Sequence, residues 1–298
     1  MSASSAPVNE FSAGSVTIRR ACPEDAEACG KICYEAFRAI ATAHNFTPDI
    51  PSPEVATAFL STMFDNGGFF CVVAQRDGRI IASNCLDERN PIAGIGPITV
   101  DPAAQNRSAG KKLMQAVLTR AAERNFPGIR LVQAGYHMRS LSLYTKLGFA
   151  VREPLASVHG PAIGVVPSGY EVRPARMADL DACNSVARLV HGHDRGGELR
   201  DAIQQRTAVV AEAGGRVVGY ATSVAFFGHA VAETNAGLQA IISAAHELHP
   251  PGFLVPMRNS ALFQWCLDRG FRVIQPMNLM SVGLYNEPMG AFLPSVTF

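Results

Sequence analysis

The sequence predicts an α+β fold, and three observations predict it. Runs of β-branched apolar residues on either side of Gly-containing turns read as hairpin strands, while longer segments with one apolar stripe read as helices. The middle strands follow one another directly, as in a meander, and are not each separated by a helix. The same order of elements then occurs a second time within the 298 residues.

Size and composition set the frame. At about 100–200 residues per domain, a chain of this length holds one or two. It is 48% hydrophobic and 17% charged, which suits a globular protein. The net charge of +1 and the lack of any Lys/Arg run argue against nucleic acid as a partner. No apolar run reaches the roughly 20 residues needed to cross a bilayer. Met1 to Gly14 is rich in Ser and Ala, with neither a basic start nor an apolar stretch, and reads as a disordered leader. The seven cysteines form no CxxC pair, so a reduced cytoplasmic compartment is expected. Cys29 and Cys33, four apart on a predicted helix, are expected to face a core and not a metal.

The duplication rests on three ordered matches. Ile18-Arg-Arg-Ala-Cys-Pro-Glu-Asp-Ala-Glu-Ala-Cys29 is repeated as Val172-Arg-Pro-Ala-Arg-Met-Ala-Asp-Leu-Asp-Ala-Cys183, with Arg19, Ala21, Asp25, Ala28 and Cys29 recurring 154 positions later. Val72–Ala82 matches Val209–Gly219, and Leu147-Gly-Phe149 matches Arg269-Gly-Phe271. The offset shrinks from 154 to 137 to 122, so a whole domain is repeated with shorter connections. The Gly/Pro-rich stretch Pro154–Gly169 holds the boundary, giving domains 15–164 and 165–298 after a leader of residues 1–14.

Within the first copy the elements follow in order. A strand covers Val16–Arg20, and helices cover Pro23–Ala39 and Pro53–Asp65, the first opening with acids that suit a helix dipole. A hairpin pairs Phe70–Gln75 with Arg79–Leu86. A fourth strand spans Ala93–Val100, a helix Ser108–Arg124, a fifth strand Ile129–Ala134, a short helix Ser140–Leu147, and a last strand starts at Phe149.

The segment between the fourth strand and its helix carries the chemistry. Asp101-Pro102 ends the strand, and a loop of small residues leads into a helix with Leu113, Val117, Leu118 and Ala121 on one face. A strand, a small-residue loop and a helix start together present free backbone N–H groups, which bind phosphate. Arg107, Lys111 and Lys112 put positive charge where a helix dipole prefers acids, which points to a ligand anion. An ordinary strand-to-helix connection with surface lysines is the alternative reading.

Gln105-Asn-Arg-Ser-Ala-Gly110 resembles the (Gln/Arg)-x-x-Gly-x-(Gly/Ala) loop of the GNAT superfamily of N-acetyltransferases, with Ser108 in place of the usual Gly. His137-Met-Arg-Ser-Leu-Ser-Leu-Tyr-Thr-Lys-Leu-Gly-Phe149 resembles the Asn-x-x-Ala-x-x-Leu-Tyr-x-Lys-x-Gly-Phe helix of the same family, with His137 in place of Asn. The second half resembles the C-terminal domain of tandem members. The resemblance implies two GNAT-like domains, each a mixed, mostly antiparallel sheet flanked by helices. It implies acetyl-CoA as acyl donor, its pyrophosphate on the backbone of Gln105, Asn106, Arg107, Ser108, Ala109, Gly110 and Lys111. Pantetheine would pair with the backbone of Ile98 to Val100, with His137 and Ser140 nearby.

Acetyl transfer to an amine requires a neutral amine, a polarised carbonyl and a protonated leaving thiolate. Tyr144 holds the position of the family's general acid, a role that suits a phenol still protonated at neutral pH. The N–H of Gly96 or Ile98 is placed to polarise the carbonyl, and Gly94 and Gly96 suit a bulge. For the base, Asp87 and Glu88 are the nearest acids before the fourth strand and Glu88 is taken as the candidate, with solvated turn acids as the alternative reading of both and His137 as a further candidate. The second copy lacks the loop signature between Ala232 and Glu247 and places Cys266 opposite Tyr144, so it is expected to be structural. His191, His193 and Asp194 are expected to form a polar loop. The expected protein is an N-acetyltransferase acting on a small-molecule or peptide amine, a monomer built as a pseudo-dimer or a homodimer. A CoA-binding regulatory or scaffold protein is the alternative.

Overall fold

The computed structural model describes residues 15–105 and 108–298. The first half runs β1 (Thr17–Arg20), α1 (Ala26–Ala43), α2 (Pro53–Asp65), β2 (Phe69–Arg76), β3 (Arg79–Asp87), β4 (Ala93–Ile95), β5 (Thr99–Val100), α3 (Ala109–Glu123), β6 (Gly128–Ala134), α4 (Met138–Lys146) and β7 (Ala150–His159). The second half runs β8 (Glu171–Pro174), α5 (Leu180–His191), α6 (Gly196–Gln204), β9 (Val209–Ala213), β10 (Arg216–Ala221), β11 (Ala230–Ala232), α7 (Asn235–Ala244), β12 (Phe253–Pro256), α8 (Ser260–Asp268), β13 (Arg272–Gly283) and β14 (Ala291–Leu293). The predicted leader, residues 1–14, lies outside the described residues.

Each sequence match corresponds to one device used twice. Arg19 grips Asp25 with two hydrogen bonds of 2.6 and 2.7 Å, and Arg173 grips Asp179 with two of 2.8 and 2.9 Å. The same carboxylates accept from the backbone N–H of Cys22 and of Arg176, pinning the entry to α1 and to α5. The hydrogen-bonded Arg19 guanidinium holds the Asp25 carboxyl down at about 2. Gly148 and Gly270 end α4 and α8 at φ 93° and 85°, a conformation that favours glycine.

The two copies are not separate sheets. One nine-stranded sheet runs β1-β2-β3-β4-β6-β13-β7-β12, with β5 also paired to β3. Thus β13, from the second half, lies between β6 and β7 of the first, and β7 reaches across to β12. β7 and β13 are equivalent strands at the offset of 122, and they lie antiparallel beside each other, as a local two-fold requires. The second sheet runs β14-β11-β10-β9-β8.

In the first copy α1 and α2 cover one face of the sheet and α3 the other. Cys29, Cys33, Cys71 and Cys85 are buried with Leu60 and Val73 under α1 and α2, and Leu113, Met114 and Val117 of α3 pack with Val72 and Leu86 on the opposite face. That alternation along β2 is the two-residue period of a strand buried on both sides.

The second copy has the same frame but a filled gap. β14 pairs with β11 and packs against β12, so chain occupies the space between them. The start of α7 is capped by its own Thr234, whose hydroxyl accepts from the Gly237 N–H at 3.3 Å, and Glu233 just before it pairs with Arg216. Anion binding at that helix start is opposed on both counts.

The polar loop expected at His191–Asp194 is instead a buried cluster. His191 is the last residue of α5 and 1% exposed, because α5 ends against β10 and β11 and turns its final residue inward. Its Nε2 lies 3.1 Å from Nε2 of His229, also 1% exposed, and His193 stacks beside it. No three His, Cys, Asp or Glu side chains gather around a metal position among the described residues. Burial, then the neighbouring Arg195, push His193 down to about 4 and hold His191 and His229 well below the ordinary imidazole value.

These imidazoles charge near pH 6.5 in the unfolded chain but not until much lower pH in the folded one. The unfolded state therefore binds more protons across that window, and stability falls as pH drops from about 6.5 to 4. We expect the urea midpoint to decrease clearly between pH 7.5 and pH 5. An unchanged midpoint would mean that the cluster is not buried in its neutral form.

Candidate active site

Two parallel strands that separate create the site. β4 and β6 pair only at Ala93 with Ile129 and at Gly94 with Arg130. The predicted continuous strand Ala93–Val100 is broken after Ile95. Gly96 stands at φ 148°, its N–H donates to the Cys85 carbonyl at 3.0 Å, and Pro97 has no N–H to extend the ladder. β5 resumes against β3 through Thr99 and Val100. Gly94 is explained by close packing, since a Cβ there would lie 2.6 Å from the Thr297 carbonyl oxygen. Beyond the split a cleft of about 800 Å³ opens, lined by α3 and α4 on one side and by α1 and the loop after it on the other.

Gln105 and the start of α3, where the sequence leads one to expect anion binding, line this cleft. Ser108 has φ 64° and ψ −2°, the left-handed conformation that a glycine adopts without strain. The first closed helical bond runs from the Lys112 N–H to the Ser108 carbonyl at 3.0 Å. The N–H groups of Ala109, Gly110 and Lys111 find no acceptor among the described residues, as expected for the first turn of a helix. A Cβ on Gly110 would lie 3.6 Å from Val100 and 3.9 Å from Leu143, ordinary contacts that accept Ala as well as Gly. Asn106 and Arg107 lie outside the described residues.

Three cations line this end: Lys111, Arg139 and Lys146. Arg139 donates to the Gln105 side-chain oxygen at 3.1 Å, fixing the loop against α4. Lys112 turns away and donates to the Val16 carbonyl at 2.9 Å. Arg139 stands within the His137–Phe149 helix, and only the contact with Gln105 reveals its place.

Deeper in the cleft stand the groups suited to acyl chemistry. With the Gly96 N–H already taken, the Ile98 N–H remains without an acceptor among the described residues. Tyr144 is 7% exposed, packs edge-on to Phe149 at 6.3 Å, and lines the cleft. Burial pushes its phenol further up, so it stays protonated. His137 opens α4, and burial followed by the Arg139 and His44 charges push it down to about 4, leaving a neutral ring. Ser140 donates to the His137 carbonyl at 2.8 Å, and the buried Gln133 amide donates to the same carbonyl at 2.9 Å.

The cleft thus brings together Ile98, Val100, Gln105, Ser108, Ala109, Gly110, Lys111, His137, Ser140 and Tyr144 from the sequence expectations. Glu88 is not among them. Both its oxygens are held by Arg120 of α3, at 2.7 and 3.0 Å, and it does not line the cleft. Asp87 is held in the same way by Arg89. Each carboxylate at the end of β3 is thus engaged by a basic side chain and lies outside the cleft lining. The only acid lining the cleft among the described residues is Asp49, from the loop between α1 and α2. Its sequence setting, Phe46-Thr-Pro-Asp-Ile-Pro51, reads as an ordinary Pro-rich turn and gives no local signal.

Comparison with known proteins agrees with this geometry. Residues 34–149 match the acetyltransferase (GNAT) family. A mycothiol acetyltransferase from Nocardia farcinica is 38% identical over 102 residues, which cover 33% of this chain and 34% of that relative. The chain therefore matches about a third of the length of its curated relatives. An acetyltransferase-assigned crystal structure from Pyrococcus horikoshii superposes with a TM-score of 0.73 at 18% identity, over 96% of this chain and 97% of that one. A tandem GNAT protein from the clavulanic acid biosynthesis pathway superposes with a TM-score of 0.54 at 13% identity, over 90% and 98%. At these identities the two structures speak for the fold alone, and they speak for it across both halves. The resemblance in sequence to the acetyltransferase (GNAT) family is thus confined to residues 34–149, within the first copy, while the resemblance in fold spans both halves.

Proposed function

We propose that the N-terminal copy is an acetyl-CoA-dependent N-acetyltransferase that acts on the primary amine of a small molecule or peptide. The observation that carries this reading is the pairing, within one cleft, of an anion-binding helix start with an unpaired N–H and a protonated phenol. The amides of Ala109, Gly110 and Lys111, with Lys111, Arg139 and Lys146 around them, suit a diphosphate. The group they would hold brings an acetyl thioester, and the chain supplies the rest. Ile98 donates its N–H toward the carbonyl oxygen, and Tyr144 gives its proton to the departing sulfur. The second copy, with β14 in its gap and a self-capped α7, would serve as a wall.

The relatives are acetyltransferases by name, but the shared third of their length does not carry an acceptor over to this chain. The rival reading, a CoA-binding protein without turnover, draws on the loss of Glu88 to Arg120.

Tyr144→Phe separates the two. It is expected to lower kcat by about 10²–10⁴-fold, the usual worth of a positioned acid, while calorimetry still detects acetyl-CoA uptake. Full turnover in that variant would remove the phenol from the mechanism, and uptake without transfer to any amine in the wild-type protein would favour the rival.

Ser108→Gly tests the loop. Relieving a left-handed non-glycine residue is worth roughly 1 kcal/mol, so the variant should melt higher and bind acetyl-CoA at least as tightly. A lower melting temperature together with weaker binding would show that the serine side chain itself holds the loop.

A further inference from the structure

We propose that Asp49 receives the ammonium group of the acceptor and takes its proton, and that the acceptor is a singly charged amine with an apolar body. This rests on the acetyl-transfer reading above and assigns the base and the acceptor class, which that reading leaves open.

The cleft is polar in opposite senses at its two ends. Lys111, Arg139 and Lys146 gather on the α3 and α4 side, whereas Asp49 stands alone on the α1 and α2 side. A carboxylate that lines a cavity with no other acid suits one cation. From α1, α2, the loop between them and the second half, the same cleft is lined by the hydrocarbon of Phe37, Ile40, Ile50, Phe59, Phe226 and Phe227. A second groove of about 310 Å³ continues from it, sharing Ile50, Phe59 and Phe227, whose rings meet at 4.6 Å. An acceptor with many hydroxyls or a second charge would leave those groups unpaired against this wall and bind more weakly.

Asp49 is held for the task. Its carboxylate accepts from the Gln275 side-chain amide, and the Gln275 oxygen accepts from the Tyr136 hydroxyl at 3.1 Å. Gln275 belongs to β13, so the interleaved second half positions the group. The titratable groups near it are Tyr136 and His137, after β6, and His44, just past the end of α1, whose ring lies tilted at 5.4 Å from that of Tyr136. No Lys or Arg pairs with Asp49 among the described residues. Burial pushes its carboxyl up to about 6, against the opposing Gln275 hydrogen bond, and so brings it near working pH.

The proton balance closes. The ammonium gives one proton to the Asp49 carboxylate, and the freed nitrogen lone pair forms the C–N bond to the thioester carbonyl carbon. The C–S bond breaks, and the sulfur takes the Tyr144 proton. The tyrosinate recovers a proton from the nitrogen through water, and Asp49 releases its own to solvent. The products are the amide, the thiol and one proton.

The test is steady-state thiol release from acetyl-CoA with 2-phenylethylamine and n-hexylamine against glucosamine and glutamine. Wild-type kcat/KM is expected to be about 100-fold higher for the first pair, with a lower pH limb near 6 that rises with pH. Asp49→Asn should lower kcat/KM by about 100-fold and abolish that limb, with melting temperature and acetyl-CoA affinity unchanged. Phe227→Ala, at a residue 42% exposed and thus tolerant of change, should raise KM for 2-phenylethylamine and leave its kcat unchanged. Equal or better use of glucosamine, or an Asp49→Asn enzyme that keeps both its rate and its pH limb, overturns this proposal while acetyl transfer stands. Absence of acetyl-CoA uptake in calorimetry overturns the acetyl-transfer reading, and this proposal with it.

Discussion

Everything at the site follows from two parallel strands that stay paired for only two residues. β4 and β6 meet at Ala93–Ile129 and Gly94–Arg130 and then part. Each is held on its far edge by an antiparallel partner, β4 and β5 by β3, and β6 by β13. Gly96 and Pro97 interrupt the ladder between them, so the backbone on the open side cannot close the gap by pairing. The opening is a consequence of sheet geometry. Ile98, the helix start at Ala109 and Tyr144 all line it, brought together by the strands and helices on either side of the split.

Duplication explains how the second half comes to stand beside Asp49. β7 and β13 are copies of one strand, and each extends the sheet of the other half. The exchange pins β6 and delivers Gln275 next to Asp49. The halves then diverge in one respect. In the first the gap is open and its helix start is uncapped; in the second β14 lies in the gap and Thr234 caps the helix. A frame shared by two copies needs only one functional cleft once the other has become a packing surface.

Much of this was legible in the residue order because it is local. The helix expected over Pro53–Asp65 spans those residues in the structure, where Pro53 opens it and the Ser52 hydroxyl accepts from the Val55 N–H. The Gly turns at Asp77-Gly78 and Gly214-Gly215 marked both hairpins. Ser108 was recognised as an exception in a glycine position, and its φ of 64° is what that position demands. What escaped was non-local. A strand propensity for Ala93–Val100 says nothing about the partner it loses after Ile95. Glu88 reads as a free turn acid until Arg120, 32 residues later, covers it. His191 and His193 read as a polar loop because His229, which buries with them, lies 38 residues beyond the first. Asp49 has no neighbour in sequence that distinguishes it, and its surroundings come from β6 and β13.

The measurement that addresses the central claim most directly is calorimetric titration of the protein with CoA and, separately, with pantetheine. If main-chain donors at the start of α3 hold a diphosphate, CoA should bind in the micromolar range, about 8 kcal/mol, and pantetheine, which lacks the diphosphate, should lose most of that energy. Equal affinity for the two, or no heat with CoA, would contradict the account.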